Sequence, residues 1–237
     1  MPATARDGER RETVSRERVL RAAMALADER GIEALTMREL AGRLGVEAAS
    51  LYNHVSGKDD VLVGMADLVI AEIELPPEGA DWREAMRRRA MSARALFARH
   101  PWAPEFIDTR MQIQPSGLAY ADRVLATLIR AGLSPTVAGN AFLALDSYIY
   151  GYERQRSILA RGDGGASTVA VREVVDAIRP GAFPALAQVA AEYAEQPFDD
   201  DAGFAFGLDL LLDGIERQVR ATRTHPGFGG REGSPAG

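Results

Sequence analysis

Residues 45–62, GVEAASLYNHVSGKDDVL, set Tyr52, Asn53 and His54 side by side and follow them with Lys58, the only lysine in the chain. Hydroxyl, amide, imidazole and ammonium groups spaced this closely are the donor types that hold a phosphate backbone. The chain offers little other chemistry. It has no cysteine, which excludes disulfides and thiolate catalysis. Its three histidines, at 54, 100 and 225, lack ligand-like spacing, so neither a metal nor a cofactor is expected. No nucleophile stands beside a base and no glycine-rich phosphate loop occurs, so the chain is not read as an enzyme.

The net charge is −6, and it is unevenly divided. Residues 1–58 hold ten cations and nine anions, a net +1, whereas residues 59–237 hold eighteen and twenty-five, a net −7. If any part meets a polyanion, it is the first quarter. An apolar content of 46% with 26% charged residues is that of a globular chain rather than a disordered one. No apolar run approaches the roughly 18 residues of a membrane span, and the first residues have no signal-peptide core. A soluble, cytoplasmic protein with no membrane partner is expected.

The elements that must position the 45–62 stretch are helical. Leu20, Ala23, Met24 and Ala27 recur at helical spacing after Ser15, a capping residue, and before Gly31, a stop. TMRELAGRLG opens on a capping box, in which Thr36 accepts from the Glu39 N–H and Glu39 reaches back to the Thr36 N–H. A second short helix is expected over 48–54. Leu40, Ala41, Leu44, Gly45, Val46 and Leu51 fall where two crossed helices joined by a tight turn must meet, the helix-turn-helix. A further helix spans 59–74, and PPEG at 76–79 marks a junction. Helical patterns follow at 81–99, 102–111, 116–131, 135–160, 167–178, 183–195 and 202–221, with no sustained strand alternation. The fold class is all-α.

The run GIEALTMRELAGRLGVEAASLYNHVSGKDDVL, residues 31–62, is similar to the DNA-binding end of the tetracycline repressor family of bacterial regulators. DWREAMRRRA, RAGLSP and FAFGLDLLLDGIERQ, at 204–218, resemble that family's regulatory domain. The resemblance extends over about residues 15–221. It implies a helix-turn-helix DNA-binding domain at 15–58, a linking helix at 59–74 and a regulatory and dimerisation domain at 75–223, while the polar, aperiodic residues 1–14 read as a flexible arm and the Gly- and Pro-rich 224–237 as a disordered tail.

On that fold the recognition helix lies in the major groove of a double-stranded operator. Ser50 would reach a base edge, Ala48 or Ala49 a thymine methyl, and Arg38 a guanine, with Thr36 and Asn53 on the same DNA-facing surface. Tyr52, His54 and Lys58 would bind phosphates. Each has a plainer reading. Tyr52 can be a packing residue, Lys58 a solvated charge, and Arg38 a partner of Glu39 or Glu33.

The family's members are homodimers, and two half-sites about 34–36 Å apart require two reading heads. The helix at 202–221 is apolar almost all round, and its stripe of Phe204, Leu208, Leu211, Leu212 and Ile215 is the expected dimer interface. An effector site is expected from Arg89, Ala93 and Phe97, from Trp102, Phe106, Arg110, Met111 and Gln112, and from Asp146, Tyr148, Tyr152 and Gln155. Tyr150 points elsewhere in this reading. Arg89, Ala93 and Ile107 stand where the tetracycline repressors carry a drug-contacting asparagine, a phenylalanine and a metal-binding histidine. The implied effector is a small, partly aromatic molecule other than tetracycline. The alternative is a DNA-binding regulator with no small-molecule ligand, whether constitutive, protein-responsive or activating.

Overall fold

The computed structural model describes residues 14–107, 114–160, 183–195 and 199–224. Among these the helices are α1 (Arg16–Arg30), α2 (Met37–Leu44), α3 (Ala48–Leu51), α4 (Lys58–Glu72), α5 (Trp82–Arg99), α6 (Ala103–Phe106), α7 (Pro115–Arg130), α8 (Pro135–Ala160), α9 (Pro184–Glu195) and α10 (Asp200–Thr224). No strand occurs among the described residues, and no helix among them is long and apolar enough to cross a membrane. The helix expected at 167–178, the arm at 1–13 and the tail from 225 lie outside the described residues. The chain divides into two compact units, one ending at Ala66 and the other starting at Asp67, so the division falls inside α4.

The first unit is built from local signals. Ser15 caps α1 by accepting from the Arg18 N–H at 3.2 Å, and Gly31, at φ 80°, closes it. Thr36 accepts from the Glu39 N–H at 3.1 Å, as the capping box requires. The return half of the box is replaced, because the Glu39 carboxylate is drawn to Arg30 at 2.8 Å. Gly45 adopts the left-handed conformation, φ 67° and ψ 33°. Its N–H bonds the Gly42 carbonyl, and the Val46 N–H bonds that of Ala41, the paired pattern that ends a helix and starts a sharp turn. The core closes on Val19, Leu20, Ala23, Leu40, Ala41, Leu51 and Val61, all buried. Leu44 and Val46, expected at the crossing, are only half-buried.

In the second unit α5, α8 and α10 pack together, with α7 against α5 and α8. Asp81 caps α5, accepting from the N–H groups of Arg83 and Glu84. Asp199 does the same for α10 through Asp201 and Ala202. That cap starts α10 two residues before the expected 202. Phe204, Leu208 and Leu212 of α10 are fully buried within the single chain, and Ile215 is nearly so. The stripe expected at the dimer interface is thus the intrachain face of the helix, with Leu211 half-exposed beside it. The outward face carries Phe206 and Leu210, 68% and 57% exposed.

Gly45 tests the turn. A Cβ added there meets nothing within 4 Å, so the cost of a side chain is backbone strain alone. Gly45→Ala is expected to lose about 1–2 kcal/mol and Gly45→Asn clearly less, because asparagine tolerates the left-handed region. Urea unfolding midpoints compare the two.

Candidate functional site

In the first unit, arginines pair with nearby acids: Arg16 with Asp60, Arg21 with Glu17, Arg30 with Glu39 and Arg43 with Glu29. Arg38, on the first turn of α2, and Lys58, the first residue of α4, are exposed and have no ion pair or hydrogen bond among the described residues. Neither Glu39 nor Glu33 holds Arg38. These are two of the residues that the sequence assigned to nucleic acid. The Asp60 carboxyl is held down to about 2 by the Arg16 guanidinium against the opposing effect of its burial, with the Ser56 N–H adding to the lowering.

The expected recognition helix is shorter than 48–54. α3 ends at Leu51, whose side chain is fully buried, and the chain continues in tight turns. The Tyr52, Asn53 and His54 N–H groups bond carbonyls three residues back, at 3.3, 3.4 and 2.9 Å. This coil leaves Ala48, Ala49 and Asn53 exposed, and Ser50 and His54 half-buried. The Tyr52 ring is 56% exposed, so it is no packing residue in this unit. Thr36 spends a lone pair on its cap and keeps its hydroxyl proton for a donor role.

The second unit separates the residues expected at one effector site into two polar clusters. In the first, Arg89, 1% exposed, forms an ion pair with Asp146, and the Tyr120 hydroxyl donates to the same carboxylate at 3.1 Å. The guanidinium lies 5.0 Å from the Tyr120 ring centre and 5.9 Å from that of Phe142. Phe97 meets Tyr150 edge-on at 5.5 Å. Burial pushes the Asp146 carboxyl up, with Arg89 opposing, and pushes the Tyr120 and Tyr150 phenols up as well. Arg89 Nε is buried with no hydrogen-bond partner.

The second cluster ties α10 to α5 and α8. The Tyr148 hydroxyl donates to the Phe204 carbonyl at 2.8 Å, and its ring stacks on that of Phe204 at 5.3 Å. A Cβ at Gly207 would lie 2.4 Å from the Tyr148 hydroxyl, so this close approach requires glycine. The Tyr152 hydroxyl donates to Asp200, and its pKa is pushed up to about 12, first by burial and then by Asp200. Arg94 bonds Asp200 and Asp201 at 2.7 Å each and lies 4.8 Å from the Phe204 ring centre.

Ala93, Trp102 and Ile107 are buried, Phe106 is half-buried and Gln155 is exposed. Arg110, Met111 and Gln112 lie outside the described residues. Sequence reasoning missed Tyr120, which carried no signal. It also set Tyr150 aside, although a spacing of four from Asp146 places the two on one face of α8.

Two family models cover most of the chain. Residues 19–65 match the family described as bacterial regulatory proteins, tetR family, and residues 75–219 match the tetracyclin repressor-like C-terminal domain. The HTH-type transcriptional repressor DrrR1 of Streptomyces coeruleorubidus is 32% identical over 89% of this chain and 80% of its own length. The class D tetracycline repressor protein of Escherichia coli is 30% identical over 88% of this chain and 92% of its own. Among solved structures, ActR of Streptomyces coelicolor in complex with actinorhodin superposes with a TM-score of 0.75 at 26% identity, covering 87% of this chain and 99% of that one.

The Arg89–Asp146 pair gives a stability test. Removing one partner strands a buried charge, so Asp146→Ala is expected to cost about 3–5 kcal/mol. Arg89→Met combined with Asp146→Leu is expected to recover most of that loss, because two apolar side chains leave no charge to compensate. Equilibrium unfolding of the three proteins measures the difference.

Proposed function

The chain belongs to the tetracycline repressor family of bacterial regulatory proteins, and from that premise we propose that it binds a palindromic operator as a homodimer and leaves it when a small, partly aromatic molecule other than tetracycline binds. It is a DNA-binding transcriptional repressor by family. The observation that carries the operator reading is the pair of uncancelled cations, Arg38 and Lys58, on a helix-turn-helix whose neighbouring arginines are paired. Arg38 offers a fork to guanine, and Thr36, Ser50, Tyr52, Asn53, His54 and Lys58 offer donors to bases and phosphates, with the Ala48 and Ala49 methyl groups against thymine.

For the dimer, we assign the interface to the outward face of α10, where Phe206 and Leu210 are exposed, with Leu143 of α8 also exposed. Large apolar side chains left in water are what a second subunit covers. For the effector, the Arg89–Asp146–Tyr120 cluster with Phe97, Phe142 and Tyr150 supplies aromatic faces and one unpartnered donor, Arg89 Nε. ActR, of similar fold, is solved in complex with actinorhodin, which supports a small-molecule effector. Arg89, Ala93 and Ile107 stand in place of the tetracycline repressors' drug and metal contacts, which argues against tetracycline itself. Release follows from linkage: a hundredfold loss of operator affinity needs about 2.7 kcal/mol of preference for the DNA-incompetent state. Residues 59–74 would carry that coupling.

One observation favours the second reading, a regulator with no small ligand. Two charged groups expected to meet an effector, Arg89 and Asp146, already bond one another, and Tyr152, expected beside them, donates to Asp200.

The operator test selects a duplex from random-sequence DNA with the wild-type protein and titrates variants against it. Arg38→Ala is expected to weaken binding by about 1–3 kcal/mol and relax preference at one base pair. Phe206→Glu is expected to elute as a monomer and lose the duplex. Selection of no duplex would refute the proposal. The effector reading is tested by thermal stabilisation with actinorhodin and a panel of hydroxylated aromatics, where a rise of the midpoint with concentration supports it and a flat response across the panel favours the ligand-free regulator.

A further inference from the structure

We propose that Arg16 and Asp60 form a clamp that fixes the phosphate-binding turn, residues 52–58, against α1, which makes both of them positioning residues for operator binding. The inference rests on the regulator reading above. Arg16 is the first residue of α1 and Asp60 lies in the first turn of α4, 44 residues away. Their pairing is bidentate: Arg16 Nη2 donates to Asp60 Oδ1 at 2.6 Å and Nη1 to Oδ2 at 2.8 Å. The same Oδ2 accepts the Ser56 N–H at 2.8 Å, and Arg16 Nη1 also donates to the His54 carbonyl at 3.4 Å. One carboxylate and one guanidinium thus hold the peptide groups on both sides of Val55.

The turn's other hydrogen bonds are local: the Tyr52, Asn53 and His54 N–H groups bond carbonyls three residues back, and the Gly57 carbonyl accepts from the Val61 N–H. Leu51 and Val55 anchor it from the core side, and the Val55 N–H bonds the Leu51 carbonyl at 3.0 Å. Tyr52, Asn53 and Lys58 project into solvent. An exposed ion pair contributes little to stability, at most about 1 kcal/mol, so stability is a weak reason for this arrangement. Bidentate geometry, by contrast, fixes direction. Charge makes the same point. Asp60 places a negative group two residues from Lys58, on a unit that has to approach a polyanion. Its field opposes binding, so its net contribution to the complex has to come from the position it enforces.

The two effects have opposite signs, which makes Asp60→Asn decisive. Asparagine is nearly isosteric and keeps an oxygen for the Ser56 N–H, but it weakens the hold on Arg16. By field alone, losing an anion tightens DNA binding. By positioning, the full-length variant binds the selected duplex at least tenfold more weakly than wild type at one salt concentration, well below its melting midpoint and with its helical circular dichroism unchanged.

A double-mutant cycle adds a readout that a merely structural role would leave unmoved. If the clamp acts through Lys58, Lys58→Ala costs much less affinity in the Asp60→Asn background than in wild type. Arg16→Lys, which keeps the charge without the fork, is expected to fall between wild type and Asp60→Asn. Binding of Asp60→Asn equal to or tighter than wild type overturns the clamp, and so does a cycle in which the two losses multiply independently. A wild-type protein that selects no duplex at all overturns the regulator reading and the clamp with it, whereas a wild type that binds alongside an Asp60→Asn variant that binds as well defeats the clamp alone.

Discussion

A chain of net charge −6 can meet a polyanion only if it cancels its cations where they are not needed and leaves them bare where phosphate must go. Many of the described arginines are cancelled in this way. With one lysine among 28 cations, nearly all the positive charge is arginine, whose planar fork suits fixed partners. Arg83 and Arg87 of α5 pair with Asp209 and Asp213 of α10, and Arg94 pairs with Asp200 and Asp201 at the start of the same helix. In the first unit the same economy binds Arg16, Arg30 and Arg43 and leaves Arg38 and Lys58 uncovered.

Within the second unit the same residue types do different work because water is excluded. Arg89 and Asp146 are both buried, and neither is tolerable without the other. Tyr120 takes part in the pairing through its hydroxyl and offers its ring face to the guanidinium. Phe204 plays the matching part on α10, between Tyr148 and Arg94. The glycine at 207 lets the Tyr148 ring lie against the helix, so a residue with no side chain decides how closely α8 and α10 approach.

What the sequence made legible was whatever a few neighbouring residues determine. Ser15, Gly31, Thr36 and Gly45 each act within four residues of their partners, and all four lie where the capping rules place them. The family was legible because the helix-turn-helix compresses turn, crossing and phosphate residues into one run. Longer-range pairings were not. Arg89 finds Asp146 across 57 residues and Arg83 finds Asp213 across 130, separations over which periodicity carries no information. The α10 stripe shows a subtler limit. A helix that is apolar nearly all round has two faces to bury, and a 3.6-residue period gives both without saying which one the chain keeps for itself. Phe204 and Leu208 went inward, and Phe206 and Leu210 stayed out. Tyr148 and Tyr152, rightly placed on one face of α8, turned toward α10 rather than toward Asp146.

The sparse free charge among the described residues of the reading head also bears on how a repressor of this kind would let go. Coulomb attraction to phosphate falls off slowly with distance, so a reading head crowded with bare cations would cling through small displacements. Hydrogen bonds do not behave that way, because they weaken steeply once the angle falls toward about 120°. With the contacts proposed above, a head that presents Arg38 and Lys58 among neutral donors such as Thr36, Ser50, Tyr52 and Asn53 would depend on direction more than on field. With each such bond contributing about 0.5–1.5 kcal/mol, misaligning three of them in each half of a dimer exceeds the coupling that a hundredfold release demands. On the function proposed above, that dependence on direction is what would let a modest rearrangement in the acidic domain clear the operator.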